Sequence, residues 1–278
     1  MTGAELAAAV EGVIAPYGRA VVAFSGGVDS SVVAVAAHRA LGAGALAVTA
    51  RSESNTAEDI ALCRLVAESA GLAHEVLEYS ELAIPNYAAN PANRCYFCKN
   101  ELYTRLGALA AGRGFQAVLD GSNVDDAGDY RPGLRAVSEH GVRSPLREAG
   151  LRKADVRALA RHYGLPNHDR PAAPCLSSRI PYGQQVTAEK LRQVAESERF
   201  LHSLGFNELR CRHHGDLARL EVSPDDFPAL MQKRAEIESH LKSLGFRWVA
   251  LDLGGFRSGS LNEALRPTNP PSNGYGSG

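Results

Sequence analysis

The sequence contains no run of about 18 or more apolar residues, the length a membrane-spanning helix needs, so no transmembrane segment and no membrane partner are expected. Its start has no basic stretch leading into an apolar core, so a secretory signal is not expected and the cytoplasm is the expected compartment. A dominant charge sign is missing too. With 30 Lys and Arg against 31 Asp and Glu, the formal net charge is −1. That balance gives no global footprint for nucleic acid. The local basic run Arg143, Arg147, Arg152, Lys153, Arg157 and Arg161 reads as a solvated helix face. The five cysteines are an odd number, which excludes a fully paired disulfide framework. In a reducing compartment, clustered cysteines more often bind metal or react.

What is present is a globular composition. The 278 residues are 45% hydrophobic and 22% charged, enough for two ordinary domains. The first part alternates β-rich runs with helical ones: strands at 20–24, 45–50, 74–79 and 117–123, and helices at 30–41, 56–71, 98–114 and 152–166. This is the pattern of a doubly wound, mostly parallel α/β sheet covered on both faces. Pro and Gly crowd into "HDRPAAPCLSSRIPYGQQV", where periodicity is lost. A helix from Thr187 follows, although Lys190 leaves its capping box incomplete. Strands near 207–212 and 217–222, a helix near 225–244 and a strand near 247–253 make a smaller α+β unit. Within it "FLHSLGFNELRCR" echoes "HLKSLGFRWVALD", each a helix end, a Leu-Gly-Phe turn and a strand. The expected boundaries are 1–170 for the first domain, 171–186 for a cysteine-bearing linker, 187–262 for the second domain, and 263–278 for a disordered tail.

The stretch "FSGGVDSS" (24–31) stands between a strand and a helix, where backbone N–H groups meet phosphate. Gly26 and Gly27 permit close backbone approach, and Ser25, Ser30 and Ser31 add hydroxyls. No Gly-Lys-Ser/Thr closes the loop, so it is not a Walker A motif. It resembles the SGGxDS pyrophosphate loop of the N-type ATP pyrophosphatases, which split ATP between its α and β phosphates. The resemblance implies that Asp29 holds Mg²⁺ or orients pyrophosphate. It also implies that the end of the second strand, with Arg51 and Ser52, lies by adenine. The stretch "DGSNVDD" (120–126), carrying Gly121 and Asn123, resembles a later element of the same family.

The cysteines leave more than one reading open. "RCYFCK" places Cys95 and Cys98 at C-x-x-C spacing, suited to sharing a metal, to redox chemistry, or to neither. No second C-x-x-C or His-x-x-x-His exists, and Cys175 is a plausible third ligand. Three thiolates leave one corner of a four-iron cluster open. Cys63 and Cys211 read as core residues. Arg210 and Arg212 alternate on one strand and share a face, and planar guanidinium forks suit phosphate. His213 and His214 receive no role.

With "SGGVDSS", "CYFC", "DGSNVDD", "RSPL" and "PCLSSRIPYG" in this order, residues 5–262 resemble the LarE family of ATP-dependent sulfur transferases, which build a nickel-pincer nucleotide cofactor. The resemblance implies ATP-driven adenylation of a carboxylate of pyridinium-3,5-biscarboxylic acid mononucleotide, then attack by sulfur. In one branch of the family a lone cysteine, matching Cys175, gives up its own sulfur. In the other, three cysteines, matching Cys95, Cys98 and Cys175, carry a [4Fe-4S] cluster, and that branch is the expectation here. The family's phosphate-binding arginines match Arg210 and Arg212, with Ser178 and Arg179 completing the pocket. A homo-oligomer, possibly a hexamer, is carried over in the same way, and no stable nucleic-acid partner is expected. The rival readings are a cluster-dependent tRNA thiolase, an amide-forming synthetase, and a nucleotide-binding regulator without chemistry.

Overall fold

The computed structural model describes residues 1–128, 132–171 and 174–257. The tail expected over 263–278, and the last residues of the LarE-like stretch, lie outside the described residues. The chain gathers into two compact units. One comprises Met1–Cys175 with Gln185–Ala188, the other Leu176–Gln184 with the chain from Glu189 onward. The stretch read as a linker is therefore divided between them, and Cys175 is the last residue of the first unit before the chain enters the second.

In the first unit, helix α1 (Gly3–Ile14) opens with a capping box in which Thr2 and Glu5 satisfy each other's backbone N–H groups. Then follow β1 (Ala20–Ala23), α2 (Val28–Leu41), β2 (Ala45–Arg51), α3 (Ala57–Ser69), β3 (His74–Glu78), α4 (Pro85–Ala88), α5 (Arg94–Gly112), β4 (Ala117–Leu119), α6 (Gly133–Glu139), α7 (Pro145–Glu148) and α8 (Lys153–His162). The four strands form a parallel sheet in the order β3-β2-β1-β4, with Ala20 of β1 opposite both Ala45 and Ala117. The period-2 pleat sends Ala20, Val22 and Phe24 to one core with α1, α2 and α8, and Val21 to the other with α5 and α6. Being buried on both faces, β1 reads as an unbroken apolar run. The order reverses direction at β1, so the crevice beyond its carboxyl end is where such a sheet takes a ligand.

Helix α5 starts at Arg94, four residues before its expected start, so Cys95 and Cys98 both lie within its first turns. Hydrophobic periodicity alone could not show this, because "RCYFCK" adds little to the apolar stripe.

The second unit holds α9 (Ala188–Ser203) from its second residue, β5 (Leu209–His214), β6 (Leu217–Val222), α10 (Phe227–Gln232), α11 (Arg234–Ser243) and β7 (Trp248–Leu251). Strands β5 and β6 pair antiparallel, and β7 joins β6 in parallel. The helix expected near 225–244 is broken at Lys233, which caps α10 and precedes α11. The sequence echo is structural: α9 and α11 each end at a positive-φ glycine, Gly205 or Gly245, followed by a buried Phe206 or Phe246 and a strand. Positive φ suits glycine at a helix end, and the phenylalanine closes the turn over the core.

Candidate active site

The loop after β1 bonds part of itself, Ser25 N–H donating to Ser30 Oγ at 3.2 Å and Gly27 N–H to Ser25 Oγ at 3.4 Å. Gly26 takes φ +69, and a Cβ there would lie 2.9 Å from the Cys63 sulfur, so both backbone angle and space require glycine. Gly27 caps α2 without a side-chain bond, which leaves the first N–H groups of the helix without a cap. The Ser30 and Ser31 hydroxyls turn inward and donate to the Gly27 carbonyl at 3.0 and 2.9 Å. They shape the loop instead of facing a ligand. Ser25 lines the cleft beside it.

Gly121 and Asn123 act on this loop from β4. A Cβ on Gly121 would meet the Ser30 backbone nitrogen at 2.8 Å, so glycine lets the two turns touch. The Asn123 amide donates to Asp29 Oδ1 at 2.9 Å. Burial pushes the Asp29 carboxyl up, Asp126 adds to this, and the Asn123 bond opposes it. Asp120, buried below, accepts from Ser122 and Ser144 hydroxyls at 2.6 and 2.7 Å and so fixes the turn.

One cleft is lined by Ser25, by Thr49, Ala50 and Ser52 at the end of β2, and by Cys98 and Cys175. The site brings two of the three cysteines of the expected set to the nucleotide loop. Cys95 is exposed and does not line the cleft. Arg51 does not line it either, and its guanidinium pairs with Glu78 at 3.0 Å on the surface. Cys63, read as core, is buried and also lines the cleft floor.

Glu81 is the residue here that sequence reasoning missed. It is 3% exposed, accepts from Ser52 at 2.8 Å and from Ser54, and lies 2.7 Å from Cys98 Sγ. Burial foremost, then the Glu81 carboxylate, pushes the Cys98 thiol well up, and charge on Cys175 and Cys95 would push it further. Among the described residues, no group of three or more His, Cys, Asp or Glu side chains is arranged to hold a metal ion.

In the second unit, Arg179 is buried against Glu198 through two bonds of 3.0 and 2.8 Å, and donates to Ser178 Oγ at 3.0 Å. Arg212 donates to the Ser178 carbonyl at 2.9 Å and to the fully buried Glu221 at 2.8 Å. Arg210 differs. It stacks over Phe256 at 5.0 Å and has no carboxylate partner among the described residues. Burial, then the nearby Arg179, push its guanidinium down to about 10, so it stays cationic at neutral pH. Cys211 on the opposite face is fully buried, as expected. His213 bonds Gln193 at 2.8 Å within the core.

The chain resembles known proteins both around its nucleotide loop and over most of its length. A family model described as asparagine synthase matches residues 3–121, which contain the loop. The chain is 46% identical over 249 residues to the uncharacterized protein slr1717 of Synechocystis sp., covering 89% of this chain and 93% of the relative. It is 42% identical over 248 residues to the pyridinium-3,5-bisthiocarboxylic acid mononucleotide synthase of Lactiplantibacillus plantarum, covering 89% and 90%. It is 33% identical over 240 residues to the tRNA-specific 2-thiouridylase MnmA of Xanthobacter autotrophicus, covering 71% and 60%. No described helix is long and apolar enough to cross a membrane. A loop of the ATP pyrophosphatase type, sulfurs in the same cleft, and relatives matched over nine-tenths of their length lead to one assignment: the chain belongs to the LarE family of ATP-dependent sulfur transferases.

Proposed function

We propose that this enzyme converts a carboxylate of pyridinium-3,5-biscarboxylic acid mononucleotide into a thiocarboxylate for a nickel-pincer cofactor. A carboxylate is a poor electrophile. Its oxygen attacks the α-phosphorus of ATP, the bond to the β-phosphate oxygen breaks, and pyrophosphate leaves. Sulfur then attacks the acyl adenylate carbon, and AMP departs with the carboxyl oxygen. The observation that carries this reading is that Cys98 and Cys175 line the cleft that also holds Ser25 and the end of β2. Nucleotide activation and sulfur would therefore meet in one place.

Each residue has a part in this reading. The N–H groups after Gly26 and Gly27 take the pyrophosphate. Asp29, with Asp126 close by, would hold Mg²⁺, whose charge relieves the repulsion between the two carboxylates. Cys95, Cys98 and Cys175 would hold a [4Fe-4S] cluster, two of the thiolates coming from the cleft lining and that of exposed Cys95 from outside it. Such a cluster supplies an open iron able to carry an exchangeable sulfide. Arg210, cationic and without a carboxylate partner among the described residues, takes the substrate's phosphate, while Arg179 and Arg212 are held in place by Glu198 and Glu221.

The sulfur source separates two versions of the reaction. Intact mass after turnover, together with iron content of anaerobically purified protein, tests the cluster version. It predicts several thiocarboxylates per chain and an unchanged chain mass. Conversion of Cys175 to dehydroalanine with one product per chain would assign the donated sulfur to Cys175 itself.

A further inference from the structure

Asn167 lies in the turn after α8, with no motif around it, and is 4% exposed. Its amide nitrogen donates to the Gly26 carbonyl at 2.7 Å, across 141 residues of chain, and to the Ser31 hydroxyl at 2.9 Å. Ser31 passes its own proton to the Gly27 carbonyl at 2.9 Å, where Ser30 also donates at 3.0 Å. Two successive carbonyls of the nucleotide loop are thereby drawn toward the protein. A trans peptide points each carbonyl opposite to the next N–H. Holding the Gly26 and Gly27 carbonyls inward therefore turns the Val28 N–H outward, the orientation an anion needs, and the Gly27 N–H toward the exposed side of the loop, where it donates to Ser25 Oγ at 3.4 Å.

The turn is held where this requires it. Arg157 donates to the carbonyls of His168 and Arg170 at 3.3 Å each, and Arg170 bonds Asp59 of α3 at 2.9 Å. Buried Leu165 anchors its start. The acceptor end of the Asn167 amide, Oδ1, is buried and has no partner among the described residues. Filling space would not need an amide with one end unsatisfied. The donor end is the part the loop uses.

We propose that Asn167 is a positioning residue for ATP: its amide presets the pyrophosphate loop by restraining the Gly26 carbonyl. The inference rests on the loop being the nucleotide site, and is independent of the sulfur source and of the carboxylate substrate. An aspartate in its place would set a carboxylate against the Gly26 carbonyl and add negative charge beneath the phosphates.

The test is equilibrium binding of the non-cleavable analogue α,β-methylene-ATP to the full chain, alongside binding of the dicarboxylate mononucleotide and the nucleotide-free Tm. Wild type must bind the analogue, and its failure to do so would overturn the nucleotide-site reading itself. Losing the bonds to the Gly26 carbonyl and the Ser31 hydroxyl predicts about tenfold weaker analogue binding in Asn167→Ala. Asn167→Asp should bind more weakly still, and Asn167→Ser, which keeps a donor, should recover part of the loss. Mononucleotide affinity should stay within about twofold throughout, because a preset loop acts on one ligand only. Analogue affinity unchanged in the Ala and Asp variants would overturn the proposal. So would a parallel loss of both ligands with a fallen Tm, which marks a merely structural residue. If Asn167→Asp does not fold, the Ala and Ser variants decide.

Discussion

The sulfur of Cys98 lies 2.7 Å from Glu81 Oε1, inside the cleft that Ser25 and Cys175 also line. A buried thiol beside a carboxylate keeps its proton, because ionising would place two negative charges in contact away from water. At neutral pH Cys98 is therefore a thiol, and any metal bound there must displace that proton.

This predicts a split in reactivity between the two cysteines of the C-x-x-C pair. With iodoacetamide at pH 8, exposed Cys95 should be modified well before Cys98. Glu81→Gln removes the adjacent charge and should raise the Cys98 rate by roughly tenfold, one pKa unit's worth of thiolate. Peptide mapping across pH reads both. Equal rates at Cys95 and Cys98, unmoved by Glu81→Gln, would contradict the buried pair.

The loop glycine can be tested with its neighbour. Gly26→Ala forces a Cβ into φ +69 and against the Cys63 sulfur at 2.9 Å. The left-handed backbone alone costs an L-residue roughly 1–2 kcal/mol. ATP affinity should fall by about tenfold or more. Adding Cys63→Ala should relieve the clash and restore only part of the affinity, since the backbone angle is untouched. Complete recovery would show that crowding alone excludes a side chain there.

The arginines of β5 should separate binding from stability. Arg212→Ala takes one guanidinium from the fully buried Glu221 and should cost roughly 3 kcal/mol, read as a lowered Tm. Arg210 makes no such pair among the described residues, so Arg210→Ala should leave Tm within a few degrees while weakening mononucleotide binding at least tenfold. A reversed pattern would move the anion site away from Arg210.

His213 gives the second unit an acid limit. Burial foremost lowers its pKa to about 4, so in the fold it is neutral down to that pH. Unfolded, it takes a proton near pH 6.5. The unfolded state thus binds more protons between these values, and stability falls as pH drops from about 6.5 toward 4. His213→Gln should flatten that part of the Tm-against-pH curve. An unchanged slope would remove His213 from the cause.

Much of this was legible in the sequence, and the exceptions share a physical cause. The apolar runs marked β1 and β2 because the parallel sheet buries both their faces, and "FSGGVDSS" marked the loop because few residues fit its backbone. The Leu-Gly-Phe echo likewise marked two helix ends. What stayed hidden depends on contacts between distant segments. Nothing near Glu81 or Asn167 signals that one meets Cys98 and the other Gly26. Arg51 sits beside a motif residue, yet its long side chain finds Glu78 on the next strand. The break at Lys233 was missed because the apolar pattern continues through it.

In the proposed reaction, ATP-activated carboxylate and cysteine-borne sulfur meet in one cleft. The most direct test counts pyrophosphate and thiocarboxylate from ATP, Mg²⁺ and the dicarboxylate mononucleotide, in anaerobically purified wild type and Cys175→Ala. Wild type should release one pyrophosphate for each thiocarboxylate formed. Cys175→Ala should still release pyrophosphate on adenylation and form no thiocarboxylate. Full thiocarboxylate formation by Cys175→Ala would contradict the account.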